Sequence, residues 1–338
     1  MRKGGDSIME IKNNYYRTKI KTDLCVKHMY YIKLIYRMSR GTGMVLQEQF
    51  VKIILQLGID NTKRTVLKKL QELKKGEVIK EVKFKANSRF ILLNFFGKKF
   101  LRDTALDGMC DIPLIKNDNY NYKNCIKKIY EAEYFINNIV PDFKKCNGAF
   151  MFYPTVLLNK CTDYGLDEVE FLDNLKKRFN DYLNINEIDR EIAFINKREE
   201  LQRKILRKEI ETADFETFND ITMLDLRKRN LIIDTINFKD NRFNIDIMYF
   251  NQSSNLDAEK VVLVYSLVYK LFRRYFKWNY EVFINMNVCC CDKTSCDKLK
   301  MKLKGIKTET IINNYGVSPA FLNKVKLIDY DIPKKYFK

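Results

Sequence analysis

The chain has 338 residues, and its 62 lysines and arginines outnumber its 43 aspartates and glutamates, giving a formal net charge of +19. Its 12 glycines, 5 prolines and 46% hydrophobic residues exclude a collagen-like or largely disordered chain. The longest apolar run, residues 261–268, is too short to span a bilayer, and the first residues lack the apolar stretch of a secretory signal. We therefore expect a cytoplasmic protein whose nine cysteines are reduced and which has no membrane partner.

The positive charge is concentrated in the first 102 residues, which hold 24 lysines and arginines against 8 aspartates and glutamates. The remaining 236 residues hold 38 against 35 and are almost neutral. A coding bias towards lysine would raise the charge along the whole chain, so it does not account for a charge confined to one third. A positive charge concentrated so strongly in one part of the chain predicts a polyanionic partner.

Two amphipathic helices are predicted at the start of this basic region. The first covers residues 22–40, where apolar residues recur every three or four positions, and ends at Gly41 and Gly43. The second covers residues 46–57, and Gly58 is suited to its C-cap.

A third helix is predicted over residues 62–75, with Asn61 or Thr62 as its N-cap. Val66, Leu70 and Leu73 recur at i, i+4 and i+7 and predict its buried face. Lysine and arginine pair with phosphates and guanine edges, glutamine with adenine and threonine with either, so the other faces suit the major groove of DNA. The residues expected to contact DNA there are Thr62, Lys63, Arg64, Thr65, Lys68, Lys69 and Gln71.

A β-hairpin is predicted directly after this helix. Gly76 ends the helix, and two segments with strand-like patterns, 77–84 and 90–96, flank a turn at residues 86–88. The tip of the hairpin carries Lys83, Lys85 and Arg89, which we expect to contact phosphates.

The order helix, helix, basic helix, glycine and hairpin resembles the winged helix-turn-helix family. Residues 64–79, RTVLKKLQELKKGEVI, look like the recognition helix and first wing strand of that family. The resemblance covers about residues 20–100, and it implies that the third helix and the hairpin contact double-stranded DNA. Two alternatives remain open: a solvated basic helix in an ordinary helical domain, and a winged helix that contacts a protein.

The rest of the chain predicts three further regions. Residues 103–121 are glycine-, proline- and asparagine-containing and predict a linker between residues 1–102 and a helical region, 122–215, that begins with a helix over 122–138. An apolar strand is predicted at 147–158. Residues 167–211 mix 10 basic and 12 acidic side chains, which predicts a helical hairpin that is either intramolecular or a homodimer interface.

Residues 216–338 predict a small α/β unit of unknown role. The pattern indicates strands at 231–238, 242–250 and 280–288, a helix at 257–278 and an edge strand at 326–332. The predicted fold class is therefore α+β, mainly helical, with an N-terminal winged helix, a central helical hairpin and a C-terminal sheet unit.

Candidate catalytic or metal-binding groups lie in this C-terminal unit. Thiolates bind zinc, but the cluster around Cys290 lacks the paired C-x2-C spacing of a zinc site. Carboxylates on strands hold Mg²⁺ in nucleases, which makes Asp234 and Asp246 the candidates for catalysis. The candidate metal ligands are Cys289, Cys291 and Cys296.

Other catalytic classes find little support. The one histidine, His28, lies on the apolar stripe of the first helix, which leaves little room for histidine-based catalysis. No G-x4-G-K-[ST] loop is present, so nucleotide hydrolysis is not predicted.

The sequence thus predicts a bacterial DNA-binding protein without a cofactor, more in keeping with a binding protein than with an enzyme. The expected setting is replication, maintenance or transcription control of a plasmid or mobile element. The alternative is a metal-dependent, nuclease-like enzyme with its acidic residues in the C-terminal unit. A structural protein that binds RNA or an acidic partner is a third hypothesis.

Overall fold

The computed structural model describes residues 18–39, 42–104, 121–141, 168–206, 208–251, 257–333 and 336. The chain divides into two compact units, Met1–Val156 with Lys338 and Leu157–Phe337. Helices predominate over strands in the described residues, so the predicted α+β, mainly helical class is confirmed. No helix among these residues has both the length and the apolar character needed to cross a bilayer.

The N-terminal unit combines six helices with a three-stranded antiparallel sheet in the described ranges. The sheet order is β1-β3-β2, so the hairpin strands β2 and β3 are joined by a strand from earlier in the chain. Its elements are α1 (18–27), α2 (Met29–Met38), β1 (Met44–Leu46), α3 (Gln47–Gln56), α4 (Lys63–Lys75), β2 (Ile79–Lys83), β3 (Arg89–Leu93), α5 (Phe95–Asp103) and α6 (Tyr122–Tyr134).

Helices α2, α3 and α4 meet in one apolar core because each has a stripe of large aliphatic or aromatic residues. Ile35, Phe50 and Leu70 are fully buried, and the rings of Tyr31 and Phe50 meet edge to face with centroids 5.3 Å apart. Gly58 adopts a left-handed φ of +67° after α3, as expected of a C-cap glycine.

The N-terminal unit differs from the sequence-based expectation in three places. The first predicted helix is divided at His28 into α1 and α2. The Nε2 atom of His28 lies 2.9 Å from a carboxylate oxygen of Glu72 in α4. A three-residue strand that was not predicted, β1, directly precedes α3, and its Val45 pairs with Ile91 of β3. The predicted strand 90–96 ends at Leu93, and its last two residues begin helix α5.

Helix α6 is part of the N-terminal unit and packs against its other elements. The side chain of Gln49 in α3 donates to the carbonyl of Ile129 at 2.9 Å, and Lys128 donates to the carbonyl of Ser39 at 2.7 Å. A π-helical turn, Phe135–Ile139, continues α6. The division of the chain after Val156 therefore differs from the predicted boundary at residues 103–121.

The C-terminal unit is built on a four-stranded mixed sheet of order β4-β5-β6-β7. Strands β4 and β5 are antiparallel, and β5, β6 and β7 are parallel neighbours. Its elements are α7 (Glu168–Phe179), α8 (Ile185–Leu206), α9 (Met223–Arg227), β4 (Leu231–Lys239), β5 (Arg242–Phe250), α10 (Ala258–Tyr275), β6 (Glu281–Cys290), α11 (Lys293–Lys304), α12 (Thr308–Tyr315) and β7 (Val325–Asp329).

Helices α7 and α8 form a hairpin that packs on this sheet. The ring of Phe179 at the end of α7 meets that of Phe243 in β5 with centroids 5.4 Å apart, and Phe243 stacks on Phe276 at 3.7 Å. The helices predicted as a separate central region therefore belong to the core of the C-terminal unit, where α7 and α8 contact each other. Helices α11 and α12 were not predicted.

Two predictions fall where the structure makes no statement. Residues 105–120 of the predicted linker and the predicted strand at 147–158 lie outside the described residues.

Candidate nucleic-acid interface

Helix α4 presents a basic stripe on the side opposite its core contacts. Val66, Leu70 and Leu73 are fully buried. Four exposed side chains recur at i, i+4, i+7 and i+11, which places them within a narrow arc of the helix. We call this set the α4 stripe: Arg64, Lys68, Gln71 and Lys75.

The start of α4 is capped by the threonine that precedes it. The backbone N–H of Thr65 donates to the Thr62 hydroxyl at 3.2 Å, and the two hydroxyls lie 2.9 Å apart. This capping satisfies an N–H that has no partner within the helix. It also engages Thr62 and Thr65, both predicted DNA contacts, in holding the helix end.

The acidic residues around α4 are paired with cations that lie off the α4 stripe. Four carboxylates stand between residues 57 and 100, and each accepts from at least one basic side chain. Because these pairs cancel charge away from the α4 stripe, its positive field is left uncompensated. The pairs are Asp60 with Lys69 at 2.5 Å, Glu72 with Lys27 at 2.9 Å, Glu77 with Lys21 at 2.6 Å, and Glu81 with Lys74 at 2.7 Å and Arg89 at 3.0 Å.

Two of these carboxylates have lowered pKa values. Hydrogen bonds from Lys27 and His28 lower the pKa of Glu72 to about 2. Burial acts to raise the pKa of Glu81, but hydrogen bonds from Lys74 and Arg89 outweigh it and lower the pKa. Both groups therefore stay ionised through the physiological range.

Three further predicted contacts, besides Thr62 and Thr65, are engaged by the fold. Lys69 pairs with Asp60 and lies over the Tyr31 ring, 5.5 Å from its centroid. Lys85 lies 4.3 Å from the centroid of the Tyr122 ring, and Arg89 pairs with Glu81. These side chains stabilise the hairpin and its neighbours in addition to any contact with a ligand.

The remaining predicted contacts stay open to solvent. Lys63, Arg64, Lys68 and Gln71 on α4 are exposed, as is Lys83 at the end of β2. Between β2 and β3 the chain makes a single 3-10 turn, Lys85–Asn87, so the hairpin is short. Sequence analysis missed Lys75, whose signal is its position four residues after Gln71 on the exposed side.

The lone histidine is packed. His28 is 4% exposed and its Nε2 lies 2.9 Å from Glu72. Its ring joins the end of α1 to α4, which is a structural role.

The C-terminal candidate ligands do not converge in the described residues. Cys289 and Cys290 are buried, and burial raises the pKa of the Cys289 thiol to about 12. Cys291 and Cys296 are half-buried, and the Cys291 sulfur lies 3.3 Å from the Ser295 hydroxyl. Within the described ranges, no three histidine, cysteine or acidic side chains are grouped as metal ligands.

The candidate aspartates lie on the paired strands β4 and β5. Asp246 accepts from Thr235 at 2.5 Å and from Asn285 at 2.8 Å, so both of its oxygens are used across β4, β5 and β6. Asp234 lies at an irregularity in the pairing of β4 with β5. These contacts describe a polar ladder on one face of the sheet.

Comparison of the chain with family models, with curated proteins and with solved structures finds no match. The geometry of α4 and of its hairpin is therefore the observation that bears on function.

Proposed function

We propose that this chain binds double-stranded DNA by placing α4 in the major groove. The α4 stripe carries this proposal, because three cations and a glutamine share one exposed side of a helix whose opposite side is fully buried. The groove is about 12 Å wide and admits one α-helix. Arginine and lysine in it pair with guanine, and glutamine pairs with adenine.

The surrounding structure supports this orientation. The acidic side chains near α4 are held by cations on its flanks, so the duplex would meet a positive surface. The β2–β3 hairpin follows α4 directly, and its Lys83 is exposed. The arrangement resembles the winged helix-turn-helix family, in which helix and wing contact DNA together.

We place this binding in replication, maintenance or transcription control of a plasmid or mobile element, in the cytoplasm. The basis is the pairing of a basic DNA-binding element with a large, nearly neutral C-terminal unit. A protein with a second unit of this size has room for a role beyond occupying a site on DNA.

Selection of bound sequences from random duplex DNA, followed by anisotropy measurements over a range of salt, tests the proposal. We expect a preferred sequence and an affinity that falls steeply with salt, since each neutralised phosphate contributes about −0.9 to the log–log slope. The double variant Arg64→Ala/Lys68→Ala should bind at least about tenfold more weakly.

A matched control removes the same charge elsewhere. Lys19→Ala/Lys99→Ala takes two exposed lysines from other helices of the same unit. We expect it to leave the preferred sequence unchanged and to weaken binding much less. Equal losses in the two double variants would show that net charge, not the α4 stripe, holds the DNA, and would overturn the proposal.

A further inference from the structure

Two adjoining clefts lie on the C-terminal unit, far along the chain from α4. One has a volume of about 250 Å³ and the other about 360 Å³. They share Tyr269, Val282 and Phe283, so they form one continuous groove along the start of β6. We call it the Trp278 groove; the lining residues used below are Tyr265, Tyr269, Arg273, Trp278, Phe283 and Lys324.

The groove presents aromatic rings to solvent. Trp278 is the only tryptophan of the chain, and 85% of its surface is exposed. Tyr269 and Phe283 are half-buried in the shared wall, and Tyr265 packs against Phe321 with ring centroids 4.5 Å apart. Trp278 adjoins Tyr269 and Phe283 in one cleft, and a contiguous exposed aromatic patch of this kind points to a partner.

The turn that carries Trp278 is held in place. Arg273 donates to the carbonyl of Trp278 at 3.2 Å and to that of Tyr280 at 2.7 Å. The N–H of Lys277 also donates to the carbonyl of Tyr182 at 3.0 Å. The indole is therefore presented by a fixed backbone, which lowers the entropy lost when a flat ligand stacks on it.

Cations surround the same rings. Arg242 and Lys324 both lie over Phe283, at 5.3 and 5.5 Å from its centroid, and Arg273 lines the groove. The one acidic side chain in the lining is Glu281, which pairs with Arg242 at 2.7 Å. A positive surplus thus sits beside stacking surfaces in a unit whose overall charge is close to neutral.

We propose that the Trp278 groove binds unpaired nucleic acid, with a base stacked on Trp278 and the adjoining phosphates held by Arg273 and Lys324. Aromatic platforms bordered by cations bind single strands because every base has a stacking face and every linkage a negative charge. A duplex does not fit this chemistry, since its bases are already stacked on each other. This activity goes beyond duplex binding by α4 and does not depend on it.

An extended peptide is the competing occupant. Strand β7 pairs with β6 only from Met286 onward, so the earlier part of β6 borders the groove at an edge. The cations over Phe283 favour an anionic ligand, and the exposed indole favours a flat one. Together they favour nucleotides over a neutral peptide strand.

Tryptophan fluorescence tests the proposal directly, because Trp278 is the only source of the signal. We expect oligo(dT) to quench the fluorescence of the full chain saturably, with a negative dependence on salt. The same quenching is expected in Arg64→Ala/Lys68→Ala, so failure of the groove and failure of the α4 assignment are separate results. Unchanged fluorescence at all oligo(dT) concentrations would overturn the proposal.

Variants give a second, independent reading with labelled oligo(dT) and anisotropy. Trp278→Ala should weaken binding at least about tenfold, as loss of one stacked base does. Phe215→Ala, which removes another exposed aromatic ring of the same unit, should leave binding unchanged. Equal affinity of wild type and Trp278→Ala would overturn the proposal, as would equal quenching by poly-glutamate, which would assign the groove to acidic peptides.

Discussion

The guanidinium of Arg274 donates to the carboxylate of Glu191, a side chain with no exposed surface. The same carboxylate accepts from the Tyr275 hydroxyl at 2.9 Å and from the N–H of Met223 at 2.7 Å. Since these groups belong to α8, α9 and α10, one carboxylate ties the helical hairpin to the helix that covers the sheet. Burial raises the pKa of Glu191 above its usual value.

Replacing Glu191 by alanine should destabilise the C-terminal unit by about 3–5 kcal/mol. Arg274 is only 14% exposed, and it would keep its charge after losing its closest partner. The free energy of unfolding in urea measures the effect. Glu199→Ala removes an exposed pair with Arg203 and should cost less than about 0.5 kcal/mol. Similar costs for the two variants would contradict a buried anchor.

The acid limb of the stability profile should depend on Glu72. The pKa of Glu72 is lowered to about 2 by Lys27 and His28, so the folded chain holds this carboxylate ionised where the unfolded chain protonates it. The contribution is complete above pH 4.5 and is lost as the pH falls towards about 2. Glu72→Gln should therefore flatten the fall in melting temperature between these values. A profile parallel to that of the wild type would show that the pairs contribute nothing.

Alanine variants of two glycines with positive φ distinguish the cost of backbone strain from the cost of steric crowding. Gly43 has a φ of +74°, and a Cβ there would lie 3.1 Å from the Cβ of Leu93 and 3.2 Å from the Cε of Lys98. Gly58 has a φ of +67° and nothing within 4 Å of such a Cβ. Gly58→Ala should cost about 1 kcal/mol, the strain of the left-handed backbone alone. Gly43→Ala should cost about 2–3 kcal/mol, because crowding adds to the strain. Equal melting temperatures for the two variants would refute the added term.

Replacing the adjacent lysines Lys68 and Lys69 of α4 should affect different properties, duplex binding for Lys68 and stability for Lys69. Lys68→Ala removes a member of the α4 stripe and should weaken duplex binding by about 1–3 kcal/mol without changing stability. Lys69 pairs with Asp60, whose side chain is 8% exposed, so Lys69→Ala should lower stability by about 1–2 kcal/mol. Anisotropy and thermal unfolding of both variants make the comparison. If Lys69→Ala weakened duplex binding and Lys68→Ala did not, the DNA would contact the side of α4 that carries Lys69, and the α4 stripe would not be the binding surface.

Helix α4 was predictable because its information is local. The spacing of Val66, Leu70 and Leu73 defines its buried side, and Thr62 marks its start. The β4–β5 hairpin was predictable for the same reason, since Asp240 and Asn241 tolerate the positive φ values of +52° and +62° that its turn requires.

The remaining features depend on residues distant in sequence. Strand β1 has three residues, all buried, and so shows no alternation that a pattern could reveal. Arg89 forms an ion pair with Glu81 across the hairpin, and Lys69 forms one with Asp60, which precedes the helix. Neither pair follows from the local sequence pattern. The exposure of Trp278 was not predictable, because its turn is held by contacts of Arg273 and of Tyr182, and Tyr182 is distant in sequence.

Helix α6 determines where the N-terminal unit can be cut. A fragment that stops at residue 104 would leave the side-chain amide of Gln49, which is 5% exposed, without the Ile129 carbonyl, and would leave Lys52 without the Glu133 carboxylate. Water would then reach surface that is dry in the intact chain. The shortest fragment expected to fold with the α4 stripe intact therefore includes α6. It extends beyond residues 1–102, which hold most of the positive charge of the chain.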